Sequence, residues 1–287
     1  MLSQKGDELK HIWLIGPISW DTVISIDSYP KNGGFAQGLT RRDRPGGSAA
    51  NTAVALATAG VDVNLVSFLG DDENGARLNQ YLSDVRGLKL HAQVLPGPSL
   101  HALITVDAAG ERTVFALERN RLPEIEFNFE FNARDIVVFP VWRDEYLKWL
   151  QQANCQSSFT VVGSRALLNP TTSADIAIGS QGDVRDVEPN FKQFSAYILT
   201  KGKDGSTYLA VDEKFEMPAL DVNVVDATGA GDAYLAGLLL GLAENNSIRT
   251  SMEYATRWAA ATVARATSIP PAWGEVPQTG RENRYLD

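Results

Sequence analysis

Strand-like and helix-like segments alternate from one end of this chain to the other, and that rhythm limits its fold more than any other feature. "HIWLIG" (11–16) is a short apolar run ending in glycine, as a buried strand would. "SAANTAVALATAG" follows as a small-residue helix closed by Gly60, and "VDVNLVSFLG" as a second strand. In "DDENGARLNQYLSDVRG", Leu78, Leu82 and Val85 recur at i, i+4, i+7 behind an acidic first turn that suits a helix dipole. Farther on, "DIVVFPV", "FTVVGS", "ADIAIG" and "SAYILTKG" read as short buried strands, with "DEYLKWLQQA" as a helix between the first two. The pattern predicts an α/β fold with a mainly parallel sheet covered by helices, in one domain spanning 1–287. One stretch breaks the rhythm. From 88 to 118, "LKLHAQVLPGPSLHALITVDAAGERTVFALE" reads as consecutive strands with a turn at "DAAGE", an antiparallel patch that can serve as a lid or be a plain edge hairpin.

Charge narrows the partners. A net charge of −9 with no Lys/Arg-rich block argues against nucleic acid and against an anionic membrane surface, leaving small molecules. No segment has the roughly 18 uncharged apolar residues of a membrane span, and "MLSQKGDELKHIW" is unlike a signal peptide, so a cytoplasmic location is expected. The single cysteine, Cys155, excludes an intrachain disulfide and a Cys-based zinc cluster and is expected to be a buried structural thiol.

Chemistry concentrates in "DATGAGDAYLAGLLLGL" (226–242). "DVNVV" before it reads as a strand; Leu235, Leu238, Leu239 and Leu242 after it have helical spacing, so a helix is expected to begin close to Gly231 and Asp232. Gly229 and Gly231 permit close approach of a ligand, and the amides of Ala230, Gly231 and Asp232 become free donors at the positive helix end, suited to phosphate oxygens. Asp232 is then either an ordinary N-terminal cap or a base that takes a hydroxyl proton while the amides stabilise a transferring phosphoryl group. A Walker A loop is excluded because "GKDGS" (202–206) has Asp204 after Lys203. A dinucleotide fingerprint places its third glycine on Tyr234 and remains a minor alternative.

A second glycine cluster, "RPGGSAAN", sets Gly46 and Gly47 before a helix starting near Ser48 or Ala49, with Asn51 offering both donors and acceptors. This is either a polyol site or a tight turn. Upstream, "GPISWDTVISI" places Asp21 in a loop after the first strand, as a hydroxyl acceptor or a turn residue.

The pair "GGSAAN…LVSFLGDDENG" and "DATGAGD" resembles the two signatures of the ribokinase-like, or PfkB, carbohydrate kinases, over nearly the whole chain. The resemblance implies a three-layer αβα sandwich with a small β lid, contributed by about 30–45 and 88–118, and transfer of the ATP γ-phosphoryl group to a sugar or nucleoside hydroxyl. It makes Asp232 the catalytic base and Gly229, Ala230 and Gly231 the anion hole. It makes Asp21, Gly46, Gly47 and Asn51 ligands of substrate hydroxyls, with Ser19 where sugar kinases often have Asn. Thr200, Gly202 and Gly205 of "TKGKDG" match the turn beside the nucleotide, and Asp226 and Thr228 lie near a monovalent-cation site used by some members. Arg112, in "GERT", matches an arginine that faces substrate. ATP and Mg²⁺ are the implied cofactors and a homodimer through the lid sheets the implied assembly.

The chain also departs from the family pattern. Where many members have Asn-x-x-Glu, which organises Mg²⁺ and phosphate through water, this chain has "SQGD" (180–183), leaving Ser180 and Asp183. The segment after it is short enough to lack a helix. "ARATSIPP" lacks a Gly-Ala pair found in cation-dependent members, which argues against K⁺ activation. Three readings follow: a sugar kinase, a nucleoside kinase of the same superfamily, and a ligand-binding homologue with weak catalysis. His101, Arg112, Arg119 and Arg121 bias the acceptor site toward an anionic substrate unless they form a solvated face.

Overall fold

The computed structural model describes residues 11–110, 112–117, 126–156, 158–184, 188–265 and 269–278. In chain order the strands are β1 (Ile12–Ile15), β2 (Ser19–Ser25), β3 (Thr40–Gly46), β4 (Val63–Gly70), β5 (Leu88–Leu95), β6 (His101–Val106), β7 (Arg112–Leu117), β8 (Ile136–Phe139), β9 (Phe159–Gly163), β10 (Ala174–Ser180), β11 (Phe194–Thr200), β12 (Ser206–Ala210) and β13 (Lys214–Met217). The α-helices are α1 (Ser48–Thr58), α2 (Glu73–Ser83), α3 (Leu147–Cys155), α4 (Ala230–Ala243) and α5 (Ile248–Val263).

Nine strands form one sheet in the order β13-β12-β11-β10-β9-β8-β1-β4-β5. Pairings from β5 through β11 are parallel, and β12 and β13 close one edge antiparallel. The near-continuous apolar strands predicted this, because a parallel sheet buries both faces. One face packs Leu14, Leu65, Val138 and Ile176 beneath α1, α2, α4 and α5. The other packs Ile15, Val66, Val137 and Val162 against α3 and an aromatic cluster that includes Phe129, Phe131, Tyr146 and Trp149. Helices thus cover both faces in three layers.

The helix signals worked where small residues force close packing. In α4, a Cβ on Gly237 would come within 2.6 Å of the Ala255 backbone, and one on Gly241 within 2.6 Å of Ser251 Cα. These two glycines, one turn apart, let α4 and α5 approach backbone to backbone and fix the position of the α4 N-terminus.

Four expectations need correction. The lid is a four-stranded sheet, β3-β2-β6-β7, and β5 is not part of it. Leu88 to Leu95 pair in parallel with β4 instead, because the segment after α2 completes another βαβ unit. Asp21 lies in strand β2 of the lid rather than in a loop. "DVNVV" forms no strand; Val225 and Asp226 hang from the Val263 carbonyl through their amides. Cys155 is exposed at the end of α3 rather than buried. The hairpin β12–β13 was not anticipated; its strands are short and its polar turn carries no decisive glycine signal. After β10 the described chain makes a 3-10 turn over Gln181–Val184, in keeping with the short segment.

Candidate active site

Two helix N-termini meet at the site. At α4, Gly229 is the N-cap residue with φ 81° and ψ −3°, a left-handed conformation that costs other residues about 1 kcal/mol or more. The Ala230 amide reaches back to the Ala227 carbonyl at 3.4 Å, whereas the amides of Gly231 and Asp232 have no acceptor among the described residues. A Cβ on Gly231 would meet only open space. Free donors at a helix start that faces a cavity form an anion site. At α1, Gly47 has φ 91°, and a Cβ there would lie 2.7 Å from the Pro17 carbonyl oxygen. Gly46 sits directly against the Asp21 carboxylate, where any side chain would overlap it.

Asp232 joins the two helices. Asn51 Nδ2 donates to Asp232 Oδ2 at 2.8 Å, and Thr52 Oγ1 donates to the Asp232 carbonyl at 3.3 Å. Burial raises the Asp232 pKa above the usual carboxylate range, opposed by hydrogen bonds from Asn51 and Ser48 and by the charge of Arg112. It is therefore a stronger proton acceptor than a surface aspartate. Ser48 and Thr52, which the sequence did not single out, serve Asp232 from the first turns of α1, Ser48 at its carboxylate and Thr52 at its main-chain carbonyl; the only signal for them is their place beside Asn51.

Asp21 lies opposite Gly46 and Arg44, on the same lid sheet. Ser19 Oγ donates to Asp21 Oδ1 at 2.6 Å, and Asp21 is only 7% exposed. Burial raises its pKa too; Ser19, Arg44 and His101 oppose the rise. Ser19 thus touches Asp21 directly. His101 Nε2 is paired with Thr22 Oγ1 at 3.1 Å, on the opposite face of the lid from Asp21. Arg119 and Arg121 lie outside the described residues.

On the other side of α4 opens a cleft of about 430 Å³. Thr200, Gly202 and Gly205 form one rim, Ala230 and Gly231 the floor, and Val224, Ala259 and Val263 an apolar wall. Gly202 and Gly205 have φ 59° and 84°, so the turn after β11 depends on both glycines. Tyr234 also lines the cleft, its hydroxyl paired with Ser206 Oγ at 2.7 Å and its pKa pushed up to about 12 by burial. Apolar walls meeting free amides suit a nucleotide, with the base in the cleft and phosphates toward Gly231.

Thr228 Oγ1 is buried without a hydrogen-bond partner, and Asp226 Oδ1 accepts from the Thr228 amide at 2.8 Å. Asp183 is exposed on the 3-10 turn that follows β10. No group of three or more His, Cys, Asp or Glu side chains able to hold a metal occurs among the described residues. That donor set fits Mg²⁺ only as an ion carried by nucleotide phosphates and water; Asp183 stands on the turn after β10, whose last residue, Ser180, pairs with Thr200 of the cleft rim. For K⁺, residues 266–268 of "ARATSIPP" lie outside the described residues.

The family model for the pfkB family carbohydrate kinases matches residues 17–139 and 172–273. The chain belongs to this family. It is 27% identical to the ATP-dependent ribose-1-phosphate kinase of Halopiger xanaduensis, covering 90% of this chain and 94% of that protein. It is also 27% identical to the ribokinase of Bacillus subtilis, with 89% and 93% covered. Among solved structures, adenosine kinase from Sinorhizobium meliloti superposes with a TM-score of 0.80 at 19% identity, covering 92% of this chain and 97% of that one. Ribokinase from Arabidopsis thaliana, complexed with ribose and ATP, does so with 0.75 at 19%, covering 92% and 96%. The fold is ribokinase-like, and this pfkB-family chain is a kinase that phosphorylates a hydroxyl group. That assignment decides against a mere ligand-binding homologue. Among the described residues no helix is long and apolar enough to cross a membrane.

Proposed function

We propose that the protein transfers the γ-phosphoryl group of ATP to a hydroxyl of a sugar, with Asp232 as the general base. The observation that carries this reading is the 2.8 Å hydrogen bond from Asn51 to Asp232, which ties a part-buried carboxylate in the first turn of α4 to the helix that follows Gly46 and Gly47. Asp21 and Asn51 hold acceptor hydroxyls, aided by Ser19 and by the bare backbone at Gly46 and Gly47. Asp232 takes the proton of the attacking hydroxyl as its oxygen bonds to the γ-phosphorus and the bond from that phosphorus to the bridging oxygen of the departing ADP breaks. The free amides of Gly231 and Asp232, with Ala230 at the same turn, stabilise charge on the transferring group. Thr200, Gly202, Gly205 and the apolar wall seat the nucleotide. Asp183 would hold Mg²⁺ through water beside the nucleotide phosphates, where the ion would supply charge neutralisation. Arg112 brings a positive charge to the acceptor side.

A sugar is favoured over a nucleoside by the lid face that carries Asp21. By strand register that face presents Gly46, Arg44, Arg42 and Thr40 from β3, Ser19, Asp21, Val23 and Ser25 from β2, Ala102, Ile104 and Val106 from β6, and Arg112, Val114 and Ala116 from β7. No aromatic ring stands among them to stack a base. The test is ADP release with ATP and Mg²⁺ across matched panels of sugars and nucleosides. Turnover confined to the sugar panel is expected; turnover confined to nucleosides would reverse the assignment.

A further inference from the structure

Arg44 is charged, half-buried and unsatisfied. Its Nε and Nη2 atoms are shielded from solvent and have no hydrogen-bond partner. Buried guanidinium groups are rarely left so, because each unpaired N–H forfeits its hydration without a replacement. Asp21, its cross-strand partner, uses Oδ1 to accept from Ser19, and Asp226 uses Oδ1 to accept from the Thr228 amide. Both carboxylates favour the charge of Arg44, against burial and against Arg42 and Arg112. Neither is within ion-pair distance of it among the described residues.

Arg44 is also not alone. Arg42 follows on the same face of β3, about 7 Å away by strand rise. Arg112 enters that face from β7, in the row Thr40–Ser25–Val106–Arg112. Neither makes a hydrogen bond or ion pair among the described residues. The remaining positions of the row holding Arg44 and Asp21 are Ala102 and Ala116, whose methyl groups leave space above the sheet. Three like charges on one face repel one another, and Asp21 and Asp226 near Arg44 and Asp232 near Arg112 offset that repulsion without pairing to any of them, so an anion bound among them is favoured. It lies on the acceptor side: β3 runs into Gly46, which touches Asp21, whereas the nucleotide cleft opens across α4 at Thr200 and Gly231.

We propose that the acceptor is a sugar already bearing a phosphomonoester, which Arg44 grips at the inner end of the lid with Arg42 and Arg112 completing the clamp. The forked guanidinium matches phosphate oxygens in paired hydrogen bonds, and a dianion answers three cations better than a single carboxylate does. The proposal rests on the sugar-kinase reading for the identity of the second substrate group, but its binding step does not require turnover.

Calorimetry of the whole protein with ribose 5-phosphate, ribose 1-phosphate and fructose 6-phosphate, each against the unphosphorylated sugar and against gluconate, tests it directly. At least one sugar phosphate is expected to bind about 100-fold or more tightly than its parent sugar and gluconate, since a site built for a charged group rejects ligands that lack it. In Arg44→Gln that ratio should collapse toward unity, and Arg42→Gln, on the exposed part of the strand, should lower it about 10-fold if Arg44→Gln fails to fold. Equal binding of sugar and sugar phosphate, or preference for gluconate, overturns the proposal, as does an Arg44→Gln effect confined to the affinity for ATP. Tight sugar-phosphate binding without ADP release would keep the clamp and instead count against the kinase chemistry assigned to Asp232.

Discussion

A carboxylate that burial makes basic leaves two signatures, and Asp232 should show both. In catalysis, Asp232→Asn removes the proton acceptor and is expected to lower kcat on the order of 10³-fold; unchanged turnover would strip Asp232 of that role. In stability the sign is opposite. Because the folded state binds the Asp232 proton more tightly than the unfolded chain, stability falls as pH rises from the unfolded pKa through the folded one, and the whole penalty is present above it. Asp232→Asn removes that penalty, so thermal melts should show a Tm gain of about 2 °C or more at pH 8 that vanishes in acid. As the proposed base, Asp232 should set the acid limb of kcat/KM at a higher pH than an ordinary aspartate would. Asn51 holds the Asp232 pKa down through its hydrogen bond, so Asn51→Ala should move that limb to still higher pH. A pH–rate profile that stays in place would mean the limb belongs to another group.

At the scale of elements, the site depends on α4 ending its approach to α5 at one position. Gly237→Val would drive a branched side chain into the Ala255 backbone, costing about 2 kcal/mol or more and lowering Tm by several degrees. The same displacement would pull Asp232 from Asn51, so kcat should fall with Tm, read by paired melts and turnover assays. Elements of this kind were legible in the sequence because their signals are local. The glycine pairs at Gly46 and Gly229, the small-residue run of α1 and the leucine spacing of α4 each announce a helix or its start. What was not legible is pairing. Nothing local in Leu88–Leu95 distinguishes an edge strand of the large sheet from a lid strand, and nothing in Trp20–Asp21–Thr22 tells a strand from a loop without its partners at β3 and β6. "DVNVV" shows the converse: β-branched residues that lack a strand neighbour do not make a strand. Arg44 was missed for the same reason, since its meaning comes from Asp21 across the strand pair and from Arg112 two strands beyond Asp21.

For the whole molecule, the lid has two faces and the chain accounts for one. The Asp21 face turns toward the acceptor site; the other carries Phe115, 49% exposed, and Leu117, 39% exposed, beside Leu103. Trp20 on that face is partly shielded by α2, where the Arg77 guanidinium sits 5.8 Å from its ring centroid, but the β6–β7 half has no such cover among the described residues. An open sheet with apolar side chains on its outer face and an exposed edge at β7 is a surface that solution monomers rarely leave bare. A second lid is the self-complementary cover expected, which gives a homodimer about a two-fold axis. Light scattering at micromolar concentration should therefore return twice the chain mass. Phe115→Asp should shift it to the monomer, because a charge at the centre of such a face is desolvated without a partner. Since Thr113, Phe115 and Leu117 alternate with Val114 and Ala116 along β7, that change leaves the Asp21 face intact. A wild-type protein that is already monomeric would show that the outer face of the lid tolerates water.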